Sequence, residues 1–378
     1  MIVIGLKKLL KKYGKFGINM KVALLTLFEP KVGGGTSYTI RMKKALEVIG
    51  LEVNSYVICN KTGKKPKNAI DFEVKYLPEN DSVGNALHLN GNYDIIHFTS
   101  PGRYSDKPNI RPDYFDTIDK INKPMIVTIH GTLTYRNYPK WREFVDLCSG
   151  VVFVRKKIME YFMLKCPQIG NKALSLIKQP IDVDNVVTEF EEKERVLVNP
   201  TRFSSCKRVL KFMEVVPKIQ EKDFKVVFAG DNKHGFAARE CMTFADNLKD
   251  VNFLGGYTPD NVCNIYSKAS VMVDCSFYKH DGNGAQYTVQ EAMQYGVIPI
   301  INTQWYGDLT EKNAFFYEDE KEIPDIIEKI KTMEIGDKFR MLKRNIDYLR
   351  ENHSFPVIGK KYRNFYEEVF ENARRKFK

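Results

Sequence analysis

Two cations, Arg202 and Lys207, stand in the stretch Asn199-Pro-Thr-Arg-Phe-Ser-Ser-Cys-Lys-Arg208, directly after the apolar run Val196-Leu-Val198. A loop at the carboxyl end of a strand holds such cations over a ligand crevice. There they stabilise the negative charge that gathers on a departing diphosphate. The same residues also read as a solvated basic loop. A second stretch, Asp281-Gly-Asn-Gly-Ala-Gln-Tyr-Thr-Val-Gln-Glu291, is a polar glycine loop running into a helix. Amides at that helix start suit a diphosphate, and a carboxylate further along suits ribose hydroxyls. Taken alone, Glu291 fits an ordinary surface position equally well. A third stretch, Gly33-Gly-Gly-Thr-Ser37, lies between a strand and a helix start. Its glycines let the backbone approach a phosphate or a sugar hydroxyl, or simply make a tight turn. The run is not GxGxxG and no ribose-binding acid stands at the expected distance, which argues against a nicotinamide cofactor.

The elements that must position these residues alternate between strand and helix. Lys21 to Leu27, Leu51 to Cys59, Asp94 to Phe98, Met125 to Ile129 and Gly150 to Val154 read as strands, and an amphipathic helix runs from Ser37 to Ile49. The alternation pauses at Gln179 to Asp184 and the charged run Glu189 to Arg195, which reads as a linker. It resumes with Val196 to Val198, Lys225 to Ala229, Val251 to Leu254, Val271 to Val273 and Val297 to Ile301, and closes on a long helix from Pro356 to about Lys376. Strands alternating with helices predict parallel sheets with right-handed crossovers, here in two doubly wound, Rossmann-like α/β domains. The expected division is a basic leader 1–19, domains 20–185 and 186–352, and a last helix within 353–378.

The chain has 378 residues, enough for two such domains. Its composition, 43% hydrophobic and 28% charged, is that of a globular protein, and no run approaches the ~20 apolar residues of a membrane-spanning helix. Seven cysteines are scattered without a CxxC pair, so a disulfide framework or zinc site is not expected and a reducing cytoplasm fits best. The net charge of +12 points to a polyanionic partner or an anionic membrane surface, unless it reflects only a Lys-rich composition. Lys7, Lys8, Lys11, Lys12 and Lys15 give residues 1–19 the pattern of a basic amphipathic helix, a candidate peripheral membrane contact. This leader lacks the features of a signal peptide, and Met20 offers an alternative start just before the first strand.

Taken in order, Arg202-x4-Lys207, Val226-Val-Phe-Ala-Gly-Asp231, Phe253-Leu-Gly-Gly-Tyr257 and Glu291-Ala-Met-x-x-Gly296-x-x-Pro299 resemble the retaining GT-B glycosyltransferases of the group 1 type. The tail His353-Ser-Phe-x6-Tyr362-x3-Tyr366 resembles that family's final helix, which crosses back to the N-terminal domain. The resemblance implies two Rossmann-like domains facing across a cleft, and transfer of a sugar from a nucleotide sugar with retention of configuration. Arg202 and Lys207 match the family's diphosphate-binding pair, and Glu291 matches the acid that binds the donor ribose. Asn283 replaces the first acid of the family's E-x7-E motif, a departure that puts a sugar-hydroxyl contact in doubt and that Asp281 could offset. Gly284, Ala285, Gln286, Tyr287 and Thr288 fall on the donor-side loop and helix start. His130, in Thr-Ile-His-Gly131, matches the active-site histidine beside the donor sugar, and Gly33, Gly34, Gly35 and Thr36 match the acceptor-side glycine loop. The resemblance implies no bound cofactor and no metal, only a nucleotide sugar, UDP-linked by expectation, as co-substrate.

The acceptor is read from a narrower similarity. Tyr287-Thr288-x-x-Glu291-x4-Gly296-x-Ile298-Pro299 is similar to the corresponding stretch of the T-even phage DNA α-glucosyltransferases. The implied acceptor is a hydroxymethylated base in duplex DNA. Lys61, Lys64, Lys65, Lys67, Arg103, Arg136, Arg155, Lys156 and Lys157 are candidate phosphate contacts, or merely a solvated face. Two alternatives stand beside it: a transferase of polysaccharide or glycolipid synthesis, and a non-catalytic GT-B protein that only binds nucleotide or nucleic acid. No protein partner is called for.

Overall fold

In the computed structural model the run Lys21–Thr26 forms β1, buried on both faces after its first residue. Such a strand needs helices above and below it, which is the setting of a parallel sheet. It pairs in parallel with β2 (Glu52–Asn60) and with β4 (Ile95–Ser100), the strand that follows β3 (Lys75–Pro78). With β5 (Met125–Ile129), β6 (Gly150–Phe153) and β7 (Ala173–Leu176) the order is β3-β2-β1-β4-β5-β6-β7, every pairing parallel. The structure describes residues 20–26, 34–60, 73–78, 80–100, 115–131, 139–184, 186, 191, 193–230, 236–257, 261–277 and 287–376.

The chain divides into two units. The first holds the described residues up to Pro180 together with those from His353 onward; the second is Ile181–Asn352. The second unit repeats the architecture. Its strands are β8 (Val196–Asn199), β9 (Lys225–Ala229), β10 (Val251–Gly255), β11 (Val271–Asp274), β12 (Ile298–Asn302) and β13 (Phe315–Tyr317), in the parallel order β10-β9-β8-β11-β12-β13. Alternate residues of one strand feed opposite cores. Leu197, Val271, Val273 and Ile300 pack on one face with the Ile323–Thr332 helix, while Val198, Met272 and Ile301 pack on the other with the Tyr287–Gln294 helix. Both sheets are α/β and doubly wound, as their sequence patterns predict. In each, the order reverses beside the first strand, between β1 and β4 and between β8 and β11. Ligands of such sheets bind beyond the carboxyl ends of the strands at that reversal.

Two features differ from expectation. Gly34, Gly35 and Thr36 are the first turn of the Gly34–Val48 helix, not a loop before it; Thr39 Oγ1 donates to the Gly35 carbonyl within that turn. The strands β3, β7 and β13 were not expected. Each is three or four residues long and partly exposed, too short for a periodicity to register.

The helix Phe355–Lys376 packs on the first unit, against the Gly34–Val48 helix. Gly359 makes the approach close: a Cβ there would press on the Ala45 carbonyl, 3.0 Å from its carbon. On the neighbouring strand, a Cβ at Gly150 would lie 2.8 Å from Val369 and 2.9 Å from Phe365. Gly359→Ala should therefore lower the melting temperature, although alanine is the better helix former by ~1 kcal/mol. Overpacking against backbone costs ~1–3 kcal/mol or more and wins. A melting temperature at or above wild type would show that the two helices can separate at no cost.

Candidate functional site

The carboxyl ends of β8 and β11 meet at the reversal point of the second unit. The loop after β8 is fixed from several sides. Asn199 Nδ2 donates to the Val273 carbonyl at 2.9 Å and Thr201 Oγ1 donates to Asn199 Oδ1 at 3.0 Å. Tyr257 donates its hydroxyl to the Pro200 carbonyl at 3.1 Å. Gly230, at the end of β9, lies so close that a Cβ would sit 2.7 Å from the Arg202 nitrogen and closer still to the Thr201 carbonyl. On this loop Arg202 is exposed, whereas Lys207 is only 7% exposed. Lys207 Nζ donates to Ser276 Oγ at 3.0 Å, and the Phe277 amide donates to the Cys206 carbonyl at 2.9 Å, joining the two loops. Burial pushes the Lys207 ammonium below the usual lysine range, with the negative charge of Asp274 opposing.

Glu291 lies in the Tyr287–Gln294 helix at 4% exposure, so it is not an ordinary surface acid. Tyr287 is buried in the first turn, and the Thr288 carbonyl accepts the Tyr266 hydroxyl at 3.0 Å. Burial raises Tyr266 well above the ordinary tyrosine range, and the charges of Glu291 and Asp274 both add to that rise. Lys207, Asp274, Tyr266 and Glu291 thus form one electrostatic neighbourhood. Asp281, Asn283, Gly284, Ala285 and Gln286 lie outside the described residues, as does Gly33.

In the first unit His130 follows β5, half-buried, where Nε2 donates to the Thr99 carbonyl at 2.8 Å. A carbonyl only accepts, so the neutral ring carries its proton on Nε2 and leaves Nδ1 as an acceptor. Tyr38 stands edge-on to the ring, with centroids 4.5 Å apart. Its hydroxyl reaches Thr128 Oγ1 at 3.3 Å and the Tyr362 hydroxyl, and burial pushes it up to about 12. Beneath lies His97, which the sequence reading missed. It is fully buried, with Nδ1 2.6 Å from the Tyr366 hydroxyl and Nε2 2.8 Å from Thr128 Oγ1. The last helix thereby sends two tyrosines to the floor under His130. Gly34 is exposed, with nothing among the described residues within 4 Å of a Cβ there; Gly35 and Thr36 are half-exposed.

Burial pushes His130 down to about 4, with the Thr99 carbonyl opposing, and pushes His97 and His353 down to about 3. The folded protein holds these three histidines neutral where an unfolded chain would protonate them near 6.5. Their contribution to stability is complete above about 6.5 and is lost as the pH falls, through about 4 for His130 and about 3 for His97 and His353. Urea unfolding followed by a first-unit probe should show stability falling by about 4 kcal/mol per pH unit near pH 5, the slope for an uptake of three protons. A flat profile between pH 6.5 and 4.5 would contradict this.

Of the candidate basic contacts, Arg155 is buried at 2% and engaged within the fold, so it does not present itself to a polyanion. Lys156 is exposed and lies 3.6 Å from Glu160. Lys61, Lys64, Lys65, Lys67, Arg103 and Arg136 lie outside the described residues, together with the basic leader. No helix among the described residues is long and apolar enough to cross a membrane.

Residues 181–348 match the family model of the glycosyl transferases group 1, a span that coincides with most of the second unit. No curated protein sequence matches the chain. Among solved structures, an α-glucosyltransferase in complex with UDP superposes with a TM-score of 0.73 at 13% identity, covering 92% of this chain and all (100%) of that one. The same kind of enzyme, with UDP and a 13-mer DNA containing an HMU base, gives 0.73 at 13% identity, over 93% of this chain and 100% of that one. HepE of Anabaena, in complex with UDP and glucose, gives 0.70 at 13% identity over 92% and 100%. Residues 181–348 thus match the glycosyl transferases group 1, within a chain whose fold is the GT-B fold of glycosyltransferases.

Proposed function

We propose that the protein is a retaining glycosyltransferase that takes a UDP-sugar and glycosylates a hydroxymethylated base in duplex DNA. The observation that carries the donor half is the buried group of Lys207, Asp274 and Glu291 at the reversal point of the group 1 unit. In this reading Arg202 and Lys207 meet the diphosphate, Glu291 takes the ribose hydroxyls, and His130 stands beside the sugar. Asp281, Asn283, Gly284, Ala285, Gln286, Tyr287 and Thr288 complete the donor side, and Gly33, Gly34, Gly35 and Thr36 the acceptor side. The anomeric carbon breaks its bond to the diphosphate and bonds to the acceptor oxygen on the same face. The acceptor proton passes to the leaving phosphate. The protein's part is orientation and stabilisation of the phosphate charge. The acceptor half rests on the net charge of +12, the Tyr287-Thr-x-x-Glu291 similarity and a structural neighbour whose ligands are UDP and HMU-containing DNA.

The test is a donor screen with hydroxymethylated duplex DNA and a bacterial lipid extract as parallel acceptors. Mass spectrometry of the nucleosides should find a hexose or pentose adduct on the modified base. No adduct with any common nucleotide sugar would overturn the DNA reading, and a lipid or saccharide product would replace it with glycolipid or polysaccharide synthesis. Donor hydrolysis to free sugar separates an enzyme from a module that only binds. Glu291→Ala should weaken UDP binding by at least tenfold in calorimetry; unchanged affinity in a folded variant would remove Glu291 from the ribose site.

A further inference from the structure

Lys207 and Arg208 are consecutive cations that the fold sends to two different buried acids. Arg208 takes the left-handed conformation, φ 48° and ψ 31°, and gives its guanidinium to Glu320 at 2.6 Å, over the Phe277 ring. Lys207 donates from Nζ to Ser276 Oγ at 3.0 Å. The Ser276 hydroxyl donates in turn to Asp274 Oδ1, which also accepts the Ser276 amide at 2.9 Å. Asp274 is the last residue of β11 and is fully buried. Among the described residues its Oδ2 has no hydrogen-bond partner. A buried carboxylate in this state is costly unless a positive charge stands near it, and the same holds for a buried ammonium without a negative one.

We propose that Asp274 is a positioning residue for Lys207: its charge, relayed through Ser276, holds the buried ammonium cationic and fixed at the carboxyl ends of β8 and β11. Neither Asp274 nor Ser276 belongs to the diphosphate-binding pair, and the Val-Met-Val-Asp-Cys-Ser run that carries them contains no glycine loop. The catalytic consequence rests on the reading that Lys207 meets the donor diphosphate; the pairing itself does not.

Among the described residues the charged and titratable surroundings are few, and Glu291, which acts on Tyr266 together with Asp274, is not among the charges acting on Lys207. Arg202 and Cys206 lie on the loop of Lys207, and Arg202 works against the ammonium while Asp274 and Cys206 favour it. On the other side of Asp274 stand Tyr266, Cys275 and Tyr317, each raised well above its ordinary value by burial and so uncharged at neutral pH. The Tyr317 hydroxyl donates to the Asp274 carbonyl at 3.0 Å. Glu320 is neutralised by its own partner Arg208. Asp274 is therefore the acid whose charge falls to Lys207.

The experiment is a pH titration of the Lys207 13Cε resonance by NMR, assigned by its disappearance in Lys207→Arg. Asp274→Asn keeps the acceptor for Ser276 and removes only the charge. The Lys207 midpoint should fall by at least one pH unit in this variant, a tenfold loss of proton affinity. UDP affinity should then weaken at a correspondingly lower pH than in wild type. An unchanged Lys207 midpoint in folded Asp274→Asn overturns the proposal. A shifted midpoint with UDP affinity indifferent to Lys207→Met leaves the pairing standing and overturns the donor-site reading instead. Should Asp274→Asn fail to fold, the double variant Lys207→Met/Asp274→Asn should recover stability, because the cost lies in leaving one charge alone. A double variant no more stable than the single one also overturns the proposal.

Discussion

Arg202→Ala should reduce turnover on a UDP-sugar by ~10²-fold or more and leave the thermal midpoint unchanged. Lys207→Ala should reduce turnover at least as much and lower the midpoint as well. Both side chains offer positive charge to the leaving diphosphate under the proposed mechanism, which sets the shared kinetic effect. Their burial sets the difference. Arg202 is exposed, and among the described residues its removal leaves no buried partner behind. Lys207 is 7% exposed, and its removal strands the carboxylate of Asp274 in a fully buried place. Breaking one side of such a pair typically costs ~3–5 kcal/mol, less here because a hydroxyl intervenes and the loop can admit water. Steady-state kinetics at saturating donor, with a melting curve for each variant, reads both effects. Near wild-type turnover in either variant would mean that the diphosphate binds elsewhere.

Gly230→Ala should damage the second unit severely. The added carbon would lie 2.7 Å from the Arg202 nitrogen and closer still to the Thr201 carbonyl, all of it backbone. No side-chain rotation relieves that overlap. Either β9 must withdraw from the sheet or the loop after β8 must move, and the loop carries the cations. Stability should fall by ~1–3 kcal/mol or more, and UDP affinity by at least tenfold. Gly256→Ala is the control, since a Cβ there meets nothing among the described residues within 4 Å. Urea unfolding and calorimetry with UDP distinguish the two. If Gly230→Ala and Gly256→Ala behave alike, the close approach of loop and strand is not what holds Arg202.

The strands were legible because they are buried on both faces. Runs such as Val196-Leu-Val198 and Met125-Ile-Val-Thr-Ile129 lack the alternation of a half-exposed sheet, and every residue of β5 and β8 is buried. The glycines were harder to place. Gly34 and Gly35 read as loop because glycine disfavours a helix, yet they form its first turn, where that cost is smallest. Within the site, Lys207 and Glu291 were named from their motifs, but their burial was not foreseeable from them. What escaped the sequence entirely were residues whose meaning depends on a distant partner. His97 sits inside an apolar strand, and the Tyr366 hydroxyl and Thr128 Oγ1 explain a polar ring there. Asp274 ends an apolar strand with a charge, a signal that was available in Val-Met-Val-Asp. Its counterpart lies on a different loop, far away in the chain. Gly230 shows its importance only through what occupies the space a side chain would need.

The return of the last helix to the first unit has a consequence for how the chain matures. Residues 181–352 form a continuous insert, and residues 353–376 reach the first unit only after that insert has left the ribosome. During synthesis the second unit can close on itself as soon as it emerges. The first must wait with the Gly34–Val48 helix uncovered and His97 lacking the Tyr366 hydroxyl. The order of completion is therefore the reverse of the order of synthesis. For the length of translation that separates β7 from Phe355, the earlier-made unit is the one that a chaperone or protease would find open.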